Sequence, residues 1–196
     1  MNNQAYIFIG RSASGKGTQV NKMIDFLKQK GESDFFHLEA GNSFRDFISG
    51  DGYSEKIARE ISEKGELQPE FLSVWAWGNE MVTKFKGNKF IFIDGTPRRV
   101  IEAKILESAL DFYGLDNINV IYIKTSRQCS IDRMKERKRD DDVKEESIQE
   151  RMNWFEKEVS EVIDYYRSHK NHNFIEIDGE QSIEKVHQDI INVLDF

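Results

Sequence analysis

AYIFIGRSASGKGTQ, residues 5–19, is the stretch that decides the fold. Mostly apolar residues from Ala5 to Gly10 run straight into a loop ending Gly15-Lys16-Gly17-Thr18. Beyond the loop, Val20, Met23, Ile24 and Leu27 recur at helical spacing. A strand, a glycine-framed loop and a helix in that order give a phosphate-binding pattern its physical meaning. The backbone N–H groups of Ser12, Ala13, Ser14, Gly15, Lys16, Gly17 and Thr18 converge near a helix N-terminus, where the dipole favours negative charge. Lys16 adds a mobile cation for the outer phosphates. The strict pattern places Ser or Thr directly after the lysine; here that place is Gly17, with Thr18 one further on. The bland alternative, an ordinary tight strand-to-helix turn, leaves the lysine and the spacing without a reason.

Composition narrows the class. At 196 residues the chain is large enough for one well-cored domain. The 28 basic against 35 acidic residues give a net charge of −7, which argues against a general nucleic-acid or membrane binder. A polyanionic substrate must then be met by local positive charge. Cys129 is the single cysteine, so no internal disulfide forms and a reducing compartment fits. A first strand starting near Ala5 leaves no room for a leader peptide, and no apolar run approaches the ~20 residues of a membrane span. A cytoplasmic monomer is expected. The four histidines form no ligand pattern, and His169 and His172 are expected on a solvated helix end.

Short β-rich runs, Ala5–Ile9, Phe35–Leu38, Lys89–Asp94, Asn119–Lys124 and Asn173–Asp178, alternate with helical patterns. Clearest among those are Ile148, Met152, Phe155, Val159, Val162, Ile163 and Tyr166, and later Ile183, Val186, Ile190, Val193 and Leu194. Strands separated by helices predict an α/β fold: a parallel sheet with helices on both faces. Ligands of such sheets sit outside the carboxyl ends of the strands. The suggestive residues fall at those ends or in the basic run described next. Residues 43–67 carry no strand signal, contain Gly50-Asp51-Gly52, and read as a helical insert folding over a ligand.

Asp94-Gly95-Thr96-Pro97-Arg98 closes the third strand. Asp94 beside the loop suits a Mg²⁺ shell shared with Thr18 and anchored through water, because Mg²⁺ dehydrates reluctantly; the alternative is an N-capping Asp in a turn. Arg98 suits bidentate phosphate contact, and Arg99 reads as a solvated surface charge. Arg133-Met-Lys-Glu-Arg137-Lys-Arg139 concentrates cations, and Asp140-Asp141-Asp142 then reverse the sign. A charge run is usually a solvated face. Beside a phosphate cradle it becomes a set of cations for a transferring phosphoryl group. Arg151, on the next amphipathic helix, is placed to point at the same centre.

Taken together these motifs resemble the adenylate kinase family of nucleoside monophosphate kinases. Gly10–Gln19 is similar to its P-loop, and Ala40-Gly41-Asn42-Ser43-Phe44-Arg45 to its TGDxxR segment. Gly65-Glu66-Leu67 resembles its G-x-L, Asp94–Arg98 its DG[FY]PR signature, and Asp132-Arg133 with Arg137 its DRxxxR. Asp141, Asp142 and Arg151 resemble the acids and the arginine after the lid, and Asp178-Gly179 falls where the family's late glycine lies against the donor adenine. The resemblance covers nearly the whole chain. It implies a single P-loop kinase domain over 1–196 with a five-stranded parallel core, an NMP-binding insert at about 41–70 and a lid at about 137–142. It implies Mg²⁺-dependent phosphoryl transfer from ATP in nucleotide metabolism. Lys16, Arg98, Arg133, Arg137, Arg139 and Arg151 would be catalytic. The P-loop residues with Arg133 and Gly179 would bind ATP; Ala40, Arg45, Gly95, Arg98 and Glu102 would bind the monophosphate.

The departures matter. Ser12-Ala13 replaces Pro-Gly, Ala40 a threonine, Asn42 an aspartate and Thr96 an aromatic. The lid is very short and has no cysteines, so no structural zinc is expected. Glu102 stands where the family carries a glutamine that reads adenine. A carboxylate only accepts hydrogen bonds, which suits guanine's N1–H and N2–H₂ or cytosine's amino group and mismatches adenine N1. Either Glu102 reads the acceptor base or it points to solvent and another residue reads it. Two rival functions remain: a P-loop kinase for another small phosphate acceptor, and a nucleotide-binding module without transfer.

Overall fold

The computed structural model describes residues 3–137, 139, 144–169 and 172–194. Five strands, β1 (Gln4–Ile9), β2 (Phe35–Glu39), β3 (Phe90–Asp94), β4 (Asn117–Lys124) and β5 (Asn173–Asp178), form one parallel sheet in the order β2-β3-β1-β4-β5. The chain builds outward from β1 in both directions. The crevice beyond the carboxyl end of β1 is therefore the topological switch point, where ligands of open parallel sheets bind. Each strand run read from the sequence is present within a residue or two.

Alternation along β1 explains the layers. Ala5, Ile7 and Ile9 join one apolar cluster, which holds Trp77, Met81, Ala103, Leu106, Leu110 and Tyr166. Tyr6 and Phe8 join the other, with Val20, Met23, Leu27, Val186 and Ile190. Helices α4 (Glu70–Lys84), α5 (Val100–Phe112) and α8 (Ser160–Ser168) thus cover one face. Helices α1 (Lys16–Gln29) and α9 (Ile183–Leu194) cover the other. Buried on both sides, the central strands carry no clean polar alternation, as expected of parallel sheets.

Between β2 and α4 lie two further helices, α2 (Ala40–Ile48) and α3 (Tyr53–Glu63), with no strand between them. Helices α6 (Arg127–Arg137) and α7 (Glu145–Trp154) follow β4 and share a small third cluster of Ile131, Met134, Ile148 and Met152. Residues 138–144 join them, so Asp140, Asp141 and Asp142, and most of the expected lid, lie outside the described residues.

The long amphipathic pattern from Ile148 to Tyr166 is not one regular helix. A five-residue π-helical turn, Phe155–Val159, joins α7 to α8. It rotates the apolar face: Ile148 and Met152 pack toward α6, whereas Phe155, Val159 and Val162 pack onto the sheet. Such turns concentrate near functional sites. His172 also departs from its reading as a solvated residue. Its side chain is 7% exposed, and its Nε2 lies 2.8 Å from Glu107 Oε1.

Candidate active site

The strand-loop-helix order places the loop after β1 at the switch point. Ala13 and Gly15 both take positive φ, 60° and 96°, folding the loop into a cradle ahead of α1. Lys16 bends back over it, its Nζ donating to Gly10 O and Arg11 O at 2.9 Å each. Burial pulls the Lys16 ammonium down to about 8; Asp94 opposes that, and Arg98, Arg137 and Arg139 reinforce it. A lysine held among cations, with its ammonium poorly solvated, is poised to gain from an arriving polyphosphate.

Asp94, at the end of β3, is buried and lies against the start of α1. A Cβ added at Gly17 would stand 3.1 Å from Asp94 Oδ2. The departure from the strict pattern, glycine after the lysine, thus leaves room for this carboxylate. Asp94 and the exposed Thr18 offer hard oxygen donors near the loop, the donor chemistry that Mg²⁺ takes with one or two protein ligands, water and phosphate completing the shell. The residues fit that ion.

Gly95 has φ 88°, and Arg98 Nε donates to its carbonyl at 2.9 Å. Burial lowers the Arg98 pKa below the guanidinium's ordinary value; the Glu102 charge works against that and the Arg151 charge with it. Gly179 is held by its N–H on Lys124 O at 2.8 Å. A Cβ there would meet Ile123 Cγ2 at 2.6 Å and Thr125 Cγ2 at 2.9 Å, so only glycine fits this close approach to β4.

One cleft of about 860 Å³ gathers these groups. Ser12 through Thr18, Ala40, Arg45, Gly95, Arg98, Arg133, Arg137, Arg139, Arg151 and Gly179 all line it, as does Asp94. Five loops or helices distant in sequence thus present seven cations, Lys16 and six arginines, to one space. Arg45 also donates to Asn42, the residue that stands in for the family's aspartate.

Glu102 stands apart. It is 1% exposed and is not among the residues lining the cleft. It occupies the first turn of α5 and reaches back so that Oε2 accepts the Arg98 N–H at 3.0 Å, with the Thr96 hydroxyl at 3.4 Å. That contact resembles the back-reaching half of a capping box.

Two residues were given no place at the site by the sequence. Arg99, taken as a solvated charge, is 19% exposed; it donates to Gln68 O at 2.7 Å and lies within 3.8 Å of Glu70, Glu102 and Glu158. Trp154 lines the cleft, donates its indole N–H to Gly65 O at 2.9 Å, and lies with its ring 5.4 Å from the Arg98 guanidinium carbon. No local sequence signal marks either one. Their partners are remote in the chain.

The chain belongs to the adenylate kinase family: the family model described as adenylate kinase matches residues 8–171. It is 30% identical to the adenylate kinase of Petrotoga mobilis over 220 aligned positions, covering 96% of each chain. Against the adenylate kinase of Corynebacterium urealyticum identity is 29% over 189 positions, covering 96% of this chain and 98% of the relative. For that of Flavobacterium psychrophilum it is 28% over 193 positions, with the same coverage. The protein is thereby an enzyme of the nucleoside monophosphate kinase class, a phosphotransferase with the P-loop fold. Among the described residues no helix is long and apolar enough to cross a membrane.

Proposed function

We propose that the protein transfers the γ-phosphoryl group of ATP to a nucleoside monophosphate in a Mg²⁺-dependent reaction, giving ADP and a nucleoside diphosphate. The single observation that carries this reading is the convergence of Lys16, Arg98, Arg133, Arg137, Arg139 and Arg151 on one cleft around the loop after β1. A phosphoryl group in flight carries charge on all its peripheral oxygens, and catalysis consists of positioning and neutralising that charge.

In this reading the loop N–H groups and Lys16 hold the donor phosphates, with Arg133 and the Gly179 backbone on the donor side. Ala40, Arg45, Gly95 and Arg98 hold the acceptor phosphate. Arg137, Arg139 and Arg151 surround the group between them. An acceptor phosphate oxygen forms the new bond to phosphorus, the bond to the β–γ bridging oxygen breaks, and ADP leaves with that electron pair. The step needs no covalent enzyme intermediate. Thr18 and Asp94 would hold Mg²⁺, directly or through water, and the ion would supply further neutralisation of the polyphosphate charge. Glu102 contributes to the acceptor side through the Arg98 backbone.

A coupled ADP-formation assay over AMP, GMP, CMP, UMP and dTMP, with ATP and Mg²⁺, tests the reading. The expected result is turnover with at least one of them. Calorimetric ATP binding without turnover on any acceptor would replace it with a nucleotide-binding module.

A further inference from the structure

Helix α7 ends on Trp154 just before the π-helical turn. Arg151 and Trp154 are three residues apart, hence on one helical face, and both line the cleft. Trp154 makes two contacts with parts of the chain far from itself. Its indole N–H holds the carbonyl of Gly65, at the closing end of the 41–70 segment. Its ring lies 5.4 Å from the Arg98 guanidinium, within cation–π range.

Both ends of this bridge are otherwise constrained. Gly65 has φ 77°, and a Cβ there would meet Ser147 O at 2.5 Å and Ser147 Oγ at 2.7 Å. The segment's end therefore rests directly on α7 at Ser147 as well as on Trp154. On the other side, Arg98 Nε is committed to Gly95 O. Its terminal N–H groups have no partner among the described residues, which is the state a phosphate-holding fork requires. An indole face orients a guanidinium without consuming those donors. A carboxylate in the same place would pair with the fork and block it.

We propose that Trp154 is a positioning residue of the acceptor site, a bracket that fixes the plane of Arg98 against the end of the 41–70 segment at Gly65. The inference rests on the phosphotransfer reading for its kinetic consequence and on geometry alone for the bracket itself. Since the same helix carries Arg151, the bracket sets the acceptor-phosphate arginine and a phosphoryl-surrounding arginine relative to one another.

The test uses the full chain and two variants. Trp154→Phe keeps a ring face and loses the N–H; Trp154→Leu loses both. With AMP and GMP as acceptors, Trp154→Phe raises the acceptor KM by about fivefold and leaves the ATP KM within about twofold of wild type. In Trp154→Leu the acceptor kcat/KM falls by about thirtyfold or more. A second readout does not depend on the variants' stability. The chain has three tryptophans, so 5-fluorotryptophan labelling gives three ¹⁹F signals, assigned through Trp75→Phe and Trp77→Phe. The Trp154 signal shifts on titration with AMP or GMP. An acceptor KM unchanged in Trp154→Phe, ATP and acceptor KM rising together, or a Trp154 signal unmoved at saturating acceptor would each overturn the bracket. If the variants fail to fold, the fluorine titration of the wild type decides. Should the wild type transfer phosphate to no monophosphate, the proposed function fails, and a Trp154 signal that still moves with AMP keeps the bracket separate from that failure.

Discussion

Lys16→Met separates what the loop lysine does for catalysis from what it does to stability. In the nucleotide-free fold burial pulls the ammonium from its ordinary value of 10.5 to about 8. That gap corresponds to about 3 kcal/mol by which the charged form is disfavoured in the fold at pH 7. Removing the amine relieves that penalty but leaves Gly10 O and Arg11 O without the donor each has at 2.9 Å, a loss of about 1 kcal/mol apiece. Lys16→Met is therefore expected to be more stable than wild type by about 1 kcal/mol at pH 7. The pH dependence gives the sharper signature. Between pH 8 and 10.5 the unfolded chain still holds the lysine proton and the fold has released it, so wild-type stability rises with pH across that window. The substituted protein lacks this rise, and its advantage turns into a deficit of about 2 kcal/mol by pH 10.5. Urea unfolding of both proteins without nucleotide, at several pH values from 7 to 10.5, measures it, and the difference cancels ionisations common to both. Phosphoryl transfer meanwhile falls by about 10²-fold or more. A stability difference independent of pH would refute the burial argument, and near-full kcat in the substituted enzyme would remove Lys16 from the phosphate site.

Glu102→Gln is expected to leave the AMP-to-GMP ratio of kcat/KM within about twofold while raising the acceptor KM for both, since a glutamine oxygen still accepts the Arg98 N–H but the charge is gone; a tenfold swing toward AMP would restore the base-reading role considered from the sequence. Gly65→Ala should lose about 1–3 kcal/mol in thermal unfolding, because its Cβ meets Ser147 O at 2.5 Å and its φ is 77°; an unchanged midpoint would mean that the segment's end does not press on α7. With only residues 138–144 between α6 and α7, phosphate release from Mg-ATP in the absence of acceptor should be measurable, because so short a connection excludes water poorly; ATP that stays intact until acceptor is added would show that other segments seal the site.

The strands, the loop after β1 and the placing of most cleft residues were legible in the sequence. Each depends on a pattern a few residues long: an apolar run, a glycine frame, a lysine at fixed offset, an arginine after a strand-ending Asp-Gly. Strand ends of a parallel sheet all open on one side, so residues read at those ends had to come together in space. The helical period from Ile148 to Tyr166 was likewise visible. The π-helical turn inside it was not, because one extra residue per turn leaves every apolar residue apolar and changes only the cluster it joins.

Tertiary structure alone decided the fate of the charges and of the tryptophan. A lone Arg99 beside Arg98 has the sequence of a surface residue, and Gln68 O with Glu70, and Glu158, come to it from two other parts of the chain. His172 is dry because Glu107 on α5 reaches it. Glu102 sits at a position that invites a base-reading role, yet the turn after β3 brings the Arg98 N–H within its reach, and a buried carboxylate takes the donor that geometry supplies. Trp154, outside the apolar pattern from Ile148 to Tyr166, acquires its partners only when folding brings Gly65 and Arg98 beside it. Local pattern specifies where the chain is strand, loop or helix, because those choices are made by neighbouring residues. For Arg99, His172 and Trp154 the partner is whatever distant segment folding brings within about 3 Å, and no short window of sequence contains both members of the pair.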